Sequence, residues 1–350
     1  MNDMKMIKRG QNKRVRALVL FSGGLDSILA ARMMVEQLGR NRVEGVHFTD
    51  PFSSGSDIDS NAAARKLGIR LHAVDRTKGL LKVLHKPKHG FGRAANPCID
   101  CRIASLKKAW RFAGKNGFDF LVTGEVVGQR PMSQKRPEII HIEKEAGLRG
   151  KIVRPLSARL LPETLAEKKG WINRSMLLDI NGRSRKRQMQ LAKKYGIRDY
   201  PSPAGGCLLT DANYGKRVKD FIEFNKKTKN ASRQRIRKYD IELLKIGRHF
   251  RAGNSWIIVG RNIAENKALL SLCKKIAPKP AILEADMHAG PITIVQNPNG
   301  TSIRLAAGIT ARYSDAPKGK CARVCVKNGR SKKKTKAKGI KDTEIEKYRV

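Results

Sequence analysis

The chain has 350 residues, 74 Lys or Arg against 30 Asp or Glu, and a formal net charge of +44. Self-repulsion at that charge works against compaction, so a polyanionic partner is implied, nucleic acid first, because counterion release from phosphates turns such charge into affinity. A membrane surface is disfavoured, since aromatic anchors are scarce at 5% of residues and no apolar run approaches the ~20 residues that span a bilayer.

The first fourteen residues are a basic segment with no apolar signal-peptide core, and the expected compartment is cytoplasmic. Six cysteines in a chain of this length and compartment read as metal or catalytic thiols rather than as a disulfide framework. Residues 15–21 are an apolar strand, followed by a glycine turn and an amphipathic helix to residue 38. Strand 43–48, a helix through 62–67, strand 71–74, helix 104–113 and strand 118–123 come next. This alternation predicts an α/β domain over 15–210 built on a doubly wound parallel sheet. Ligands of such sheets bind at the carboxyl ends of the strands, where the loop at Ser22, the stretch 47–52 and the stretch 123–125 fall.

A highly charged, helical connector is expected over 211–245, with Arg217, Lys219, Lys226, Lys227, Lys229, Arg233, Arg235, Arg237 and Lys238 crowded together. A second, smaller α+β domain is expected over 246–315, with strand-like runs at 255–259 and 291–295 and a helix at 265–273 between them. Residues 316–350 carry thirteen Lys or Arg and three acids, including Lys332, Lys333 and Lys334, and read as a mostly disordered basic tail. There is no internal repeat.

The turn Ser22-Gly23-Gly24-Leu25-Asp26-Ser27 carries the strongest chemistry. Two glycines let backbone amides approach an anion, and the helix that follows offers unpaired N–H groups and the positive end of its dipole. The loop lacks the Lys of a G-x-x-x-x-G-K-[ST] motif and the third glycine of a dinucleotide fingerprint. It resembles the S-G-G-x-D-S loop of the PP-loop ATP pyrophosphatases, which split ATP between the α and β phosphates and activate a carbonyl as its adenylate.

Cys98 and Cys101 stand three residues apart where a Pro97 turn hands over to a helix, and can bind one metal or cluster. Helix-start amides and the adjacent Arg102 are expected to lower their pKa and favour thiolate. Thioredoxin-like and zinc-knuckle sites share that spacing. Downstream, Cys207 sits in the glycine turn Pro203-Ala204-Gly205-Gly206-Cys207-Leu208, a third available thiol.

Thr123-Gly124-Glu125-Val126-Val127-Gly128-Gln129, followed by Ser133-Gln134, is similar to the T-G-E-x-x-G-Q segment of the ThiI-type tRNA 4-thiouridine synthases, and His47-Phe48 before Pro51-Phe52 resembles their second-strand loop. With the loop at Ser22 and the three cysteines, the resemblance covers about residues 15–210. It implies that ATP adenylates a uracil carbonyl oxygen with loss of pyrophosphate, after which sulfide displaces AMP. It further implies that Gly23, Gly24 and Ser27 cradle pyrophosphate, that Ser22 adds a hydroxyl, and that Asp26 positions Mg²⁺. His47 and Phe48 would pack on adenine, the alternative being ordinary core residues at a strand end. Gly124 and Gln129 would border the adenylate. Cys98, Cys101 and Cys207 would hold a 4Fe-4S cluster through three irons with the fourth open; persulfide and disulfide chemistry on the same thiols is the alternative, and a zinc site, which wants a fourth ligand, the third.

That family carries an RNA-binding region ahead of the loop, which here starts at residue 22, so another part of the chain is expected to hold the RNA. The second domain is a candidate. Trp256-Ile257-Ile258-Val259-Gly260-Arg261-Asn262, Glu265-Asn266 and the stretch from Asp286 through His288 to Pro291 resemble the NFACT-R RNA-binding domain; a self-contained hydrogen-bonded turn is the alternative for Arg261, Asn262 and His288. Cys321 and Cys325 match nothing in either family and read as incidental. The resemblances together imply tRNA 4-thiouridine formation, with tRNA and sulfide or a sulfur-donor protein as partners. The alternatives are 2-thiouridine formation on the same adenylation chemistry, and a non-catalytic tRNA- or ribosome-associated RNA-binding protein with a regulatory nucleotide site. A homodimer would be compatible with either reading.

Overall fold

A computed structural model describes residues 15–53, 59–201, 206–227 and 236–350. The basic segment 1–14, the Pro203-Ala204-Gly205 part of the cysteine turn, and Lys229, Arg233 and Arg235 of the connector lie outside the described residues. The chain divides into two compact units, 1–92 with 96–208, and 93–95 with 209–350.

The first unit runs β1 (Ala17–Leu20), α1 (Leu25–Leu38), β2 (Val43–Thr49), α2 (Ser60–Leu67), β3 (Leu71–Asp75), α3 (Thr77–His85), α4 (Cys98–Lys115), β4 (Phe120–Thr123), α5 (Arg136–Ala146), β5 (Ile152–Val153), α6 (Leu165–Lys168) and α7 (Lys186–Lys194). The five strands are all parallel in the order β3-β2-β1-β4-β5. β1 is therefore central, pairing Ala17 with Val43 on one side and with Phe120 on the other. A central strand of a parallel sheet is covered on both faces, which is why its residues form an unbroken apolar run. Ala17, Val19 and Phe21 pack with Leu29 and Met33 of α1 and Ala192 of α7. Leu18 and Leu20 pack on the other face with Ile103, Leu106 and Ala109 of α4 and Ile142 of α5. The strand order reverses between β1 and β4, so the loops leaving these two strands flank the crevice where such sheets take their ligands.

At the carboxyl end of β4 an ion-pair network centred on the buried Glu125 and Arg154 fastens this crevice. Glu125 Oε1 lies 2.7 Å from Arg102 Nε of α4, its Oε2 accepts from Arg154 Nε just after β5 at 2.9 Å and from Thr123 Oγ1 at 3.0 Å, and Arg154 also bonds Glu143 of α5. Burial raises the Glu125 pKa, but the two guanidinium charges and their hydrogen bonds overcome it and hold the group at about 2, against 4.5 ordinarily.

The second unit contains α8 (Ala212–Lys227), α9 (Lys238–Lys245), β6 (Arg248–Ala252), β7 (Ser255–Val259), α10 (Ile263–Cys273), β8 (Ala281–Ala285), β9 (Thr293–Gln296), α11 (Gly300–Arg312), β10 (Cys321–Asn328), β11 (Ser331–Lys338) and α12 (Asp342–Ile345). Its six strands form an antiparallel sheet in the order β11-β10-β8-β9-β7-β6, with Ala306, Ala307 and Ile309 of α11 packed on Phe250, Ile257, Leu283 and Val295. The connector expected over 211–245 contributes two helices that belong to this unit rather than a bridge.

The expected disordered tail is a correction. Residues 321–338 form a hairpin that extends the sheet, and Ala322, Val324 and Ile345 are buried. Composition registers the lysines but not their phase: Ala322, Val324 and Val326 alternate along β10 and turn inward together, which is what a strand with one covered face requires.

Replacing Glu125 with Gln removes one charge from a buried network and is expected to destabilise the first unit by on the order of 3 kcal/mol at pH 7. Because the native carboxyl titrates near 2 rather than 4.5, its contribution is full above pH 4.5 and is lost as the pH falls toward 2. Urea unfolding of wild type and Glu125→Gln across that range should show a gap that is constant above pH 4.5 and narrows below it.

Candidate active site

The buried β1 delivers the chain to the loop at Ser22. Gly23 adopts φ +80°, a left-handed conformation that favours glycine, and the extended Gly24 starts α1 with no side-chain cap. Ser27 folds back into the loop: its Oγ donates to Gly24 O at 2.8 Å, and the Ser22 amide donates to that Oγ at 3.3 Å. The Gly24 amide reaches Ser22 Oγ at 3.4 Å. The structure therefore brings Ser22, Gly23, Gly24 and Ser27 into one turn at an uncapped helix start, the arrangement whose free N–H groups an anion satisfies.

Gly124, after β4, is pressed against this turn. A Cβ built on it would stand 2.5 Å from the backbone carbonyl carbon and oxygen of Asp26 and 2.7 Å from Ser27 N, closer than real Cβ contacts come. Only glycine lets the two loops meet. Gln129 completes the contact, its Nε2 donating to Asp26 Oδ2 at 3.0 Å. Asp26 Oδ1 is buried and has no hydrogen-bond partner among the described residues. A carboxylate oriented through one oxygen and orphaned at the other fits a Mg²⁺ ion beside a pyrophosphate.

His47 and Phe48 do not make one platform. Successive residues of β2 point to opposite faces. His47 Nδ1 lies 3.1 Å from Phe21 O and 3.2 Å from Ser60 Oγ, whereas Phe48 packs with the α4-side core, under Arg76 at 5.5 Å from its ring centre. The two expected adenine contacts thus fall on opposite faces of β2, His47 beside the end of β1 and the half-buried Phe48 against the α4-side core.

The thiols come from two segments. Cys98 and Cys101 occupy the first turn of α4, and Asn96 Nδ2 lies 3.1 Å from Cys98 Sγ. Cys207 is bridged in antiparallel fashion to Ser53, with Leu208 N donating to Phe52 O at 2.9 Å, which carries it to the loop after β2. Arg76 ties these pieces together. It follows β3, pairs with the buried Asp50 at 2.7 Å, donates through Nη1 to Ser105 of α4 at 2.8 Å, and its charge acts on both Cys101 and Cys207. Cys98 in turn acts on Cys101.

The expected thiolate-favouring shift is reversed at Cys101. Burial pushes its pKa up, with Arg76 as the largest opposing influence and Arg102, which is also paired with Glu125, a smaller one. Asp50 lies in the stretch 47–52 that the sequence marks as a candidate site segment, without a role of its own, whereas Arg76 was not expected; the available signal was its position just past the end of β3, where such sheets place their sites. Among the described residues no three His, Cys, Asp or Glu surround a single metal ion, and Asp50 is already paired with Arg76, so a zinc site gains no fourth ligand. A 4Fe-4S cluster takes each thiolate on a different iron, and a donor set of three thiols suits it. Cys321 is exposed and Cys325 buried, so that pair shares no environment.

Residues 12–159 match the family model described as thiamine biosynthesis protein (ThiI), and residues 247–349 match the NFACT protein RNA binding domain. A tRNA-specific 2-thiouridylase of Syntrophotalea carbinolica is 33% identical over 126 residues, 33% of this chain and 35% of that protein. A probable tRNA sulfurtransferase of a Thermoanaerobacter species is 35% identical over 121 residues, 33% of this chain and 30% of that one. The chain thus spans about a third of the length of the curated relatives it matches. Among solved structures, a U34-tRNA thiolase of Methanococcus maripaludis with its 4Fe-4S cluster aligns at 15% identity over 67% of this chain and 74% of that one, with a TM-score of 0.34. Among the described residues no helix is long and apolar enough to cross a membrane. Residues 12–159 are thus similar to the ThiI family and residues 247–349 to the NFACT-type RNA-binding domain, each over less than half of the chain.

Proposed function

We propose that this protein is an ATP-dependent tRNA uridine sulfurtransferase that makes 4-thiouridine. The observation that carries the reading is Asp26, held by Gln129 through one oxygen and orphaned at the other, in a turn that Gly124 alone allows to close. A buried carboxylate oxygen without a partner is costly, and a ligand at this turn would satisfy it.

Uridine resists sulfide because its carbonyl oxygen is a poor leaving group. In the reaction we assign, that oxygen attacks the α-phosphate of ATP, the bond to the β-phosphate breaks, and pyrophosphate leaves. Hydrosulfide then adds to the activated carbon, AMP departs with the original oxygen, and the sulfur's proton is lost to solvent. The amides of Gly23 and Gly24 and the start of α1 hold the departing pyrophosphate, and the exposed Ser22 hydroxyl can donate to it. Asp26 would hold Mg²⁺, which offsets the charge developing on the phosphates. His47, beside the end of β1, and Gly124 and Gln129 border the nucleotide. A 4Fe-4S cluster on Cys98, Cys101 and Cys207 would supply an iron with an open position for sulfide. Arg76 keeps the segments bearing Cys101 and Cys207 in register, and Asn96 orients the Cys98 sulfur.

Similarity to a tRNA-specific 2-thiouridylase supports a second product, 2-thiouridine, from the same adenylation at the other carbonyl. The match to ThiI and to a probable tRNA sulfurtransferase favours the 4-position. A non-catalytic RNA-binding role would leave Asp26, Gly124 and the three thiols without use. The second domain is the part we assign to holding tRNA. The sulfur source is sulfide or a donor protein, and a homodimer is compatible with the scheme.

Nucleoside mass spectrometry of tRNA incubated anaerobically with the protein, ATP, Mg²⁺ and sulfide should show 4-thiouridine, and Cys98→Ala should abolish it. Appearance of 2-thiouridine instead would select the second product, and absence of both AMP and thionucleoside would overturn the assignment. Asp26→Asn keeps a side chain that can meet Gln129 but loses the charge, and should lower AMP and pyrophosphate release on the order of 100-fold with tRNA affinity unchanged. Gly124→Ala should give a loss of similar size by forcing the two loops apart, together with a destabilisation of about 1–3 kcal/mol seen in urea unfolding.

A further inference from the structure

The second unit contains a slot of about 60 Å³ at its α8, α9, β7 and β9 surface. Phe221 and Trp256 are its buried floor, their rings 5.0 Å apart, and Phe224 and Tyr239 are its half-buried rim. Two amide side chains line the same slot. Asn225 is only 6% exposed, and among the described residues its Nδ2 is buried with no acceptor and Gln296 Nε2 is likewise buried and unpartnered. Beneath the rim, the Arg251 guanidinium lies 4.2 Å from the centre of the Phe224 ring.

Buried amide donors without acceptors carry a penalty that a ligand bearing acceptors would remove. Aromatic walls ask that ligand to be flat, and the slot's size admits the edge of one ring rather than a whole nucleotide. Proteins that read single-stranded RNA splay bases out, stack them on aromatic side chains and hydrogen-bond their edges. We propose that this slot takes one unstacked, carbonyl-bearing base of the bound RNA, uracil in the simplest case, stacked at the Phe224 and Tyr239 rim with its carbonyls toward Asn225 and Gln296. The inference rests on the reading of this domain as the RNA holder and adds to it a base-reading contact, where the lysine- and arginine-rich surface by itself reads only phosphate. Each hydrogen-bonding edge of adenine sets one ring-nitrogen acceptor beside the N6 amino donor, so adenine satisfies only one of the two amide donors and turns a donor toward the other, whereas uracil offers two carbonyl acceptors.

The test uses the full chain and fluorescence anisotropy with labelled oligo(U) and oligo(A) eight-mers over a salt series. Wild type should bind oligo(U) about tenfold more tightly than oligo(A) at equal salt. The double variant Asn225→Leu/Gln296→Met removes the two orphan donors, so it should unfold at the wild-type temperature or above. It should bind the two oligomers equally and keep the wild-type salt slope, since phosphate contacts are untouched. Equal affinities in wild type, or an unchanged oligo(U) preference in the folded double variant, would overturn the proposal while leaving the RNA-holding reading intact. Failure of wild type to bind either oligomer would overturn that reading as well. Should the double variant fail to fold, Phe224→Leu at the rim decides the matter: loss of the oligo(U) preference supports the slot, and its retention overturns it.

Discussion

The buried carboxylate of Glu125 is the constraint around which the first unit is organised. It sits two residues past the end of β4 and is held by guanidinium groups from the cysteine-bearing helix α4 and from the segment after β5, the second of which also reaches α5. Removing a charge from water costs more than any one of these contacts returns, so the network is stable only when all partners are in place. That requirement holds the end of β4 at a defined height. Gly124 and Gln129, on either side of Glu125 in the chain, meet Asp26 because of it. The same carboxylate takes up Arg102, which is why the guanidinium beside Cys101 in sequence is not the one that acts most on its thiol.

Satisfied and unsatisfied polar groups mark different parts of this unit. Ser27, Thr123 and Ser157 are buried with their hydroxyls bonded inside the fold, as structural groups are. Asp26 is half paired, and its free oxygen lies in the turn that an anion would complete. The second unit repeats the contrast. Thr310 and Thr293 bond each other within the core, while Asn225 and Gln296 leave donors open along an aromatic slot. In each unit some of the orphaned groups, Asp26 in one and Asn225 with Gln296 in the other, fall where a ligand is proposed on other grounds.

The large positive charge is arranged by a strand period. Along β10, Ala322, Val324 and Val326 turn toward α11 and the rest of the core, and across the hairpin β11 carries Lys332, Lys333, Lys334, Lys336 and Lys338 at the sheet edge. Lysine on an edge strand also blocks pairing with another chain, so the ribbon stays soluble while presenting charge. Lys334 and Arg323 are tempered by Asp286, and Lys327 by Glu284.

The sequence by itself determined the features that depend on residues close together in the chain. The apolar run before Ser22, the two glycines and the helix that follows define the anion turn locally, and the alternation of strand and helix periods makes a parallel sheet the economical solution. The C-x-x-C at a helix start and the V-G-R-N stretch are legible for the same reason. Only the tertiary structure decided which distant side chains meet. That Gln129 orients Asp26 across 103 positions, that Arg76 lies among Cys101, Cys207 and Asp50, and that His47 and Phe48 part to opposite faces follow from strand order and register, which no local pattern encodes. The basic C-terminal segment shows the limit most plainly. Its net charge argues for disorder, and three small or branched residues in alternation, meeting a sheet edge that already exists, give it a fold.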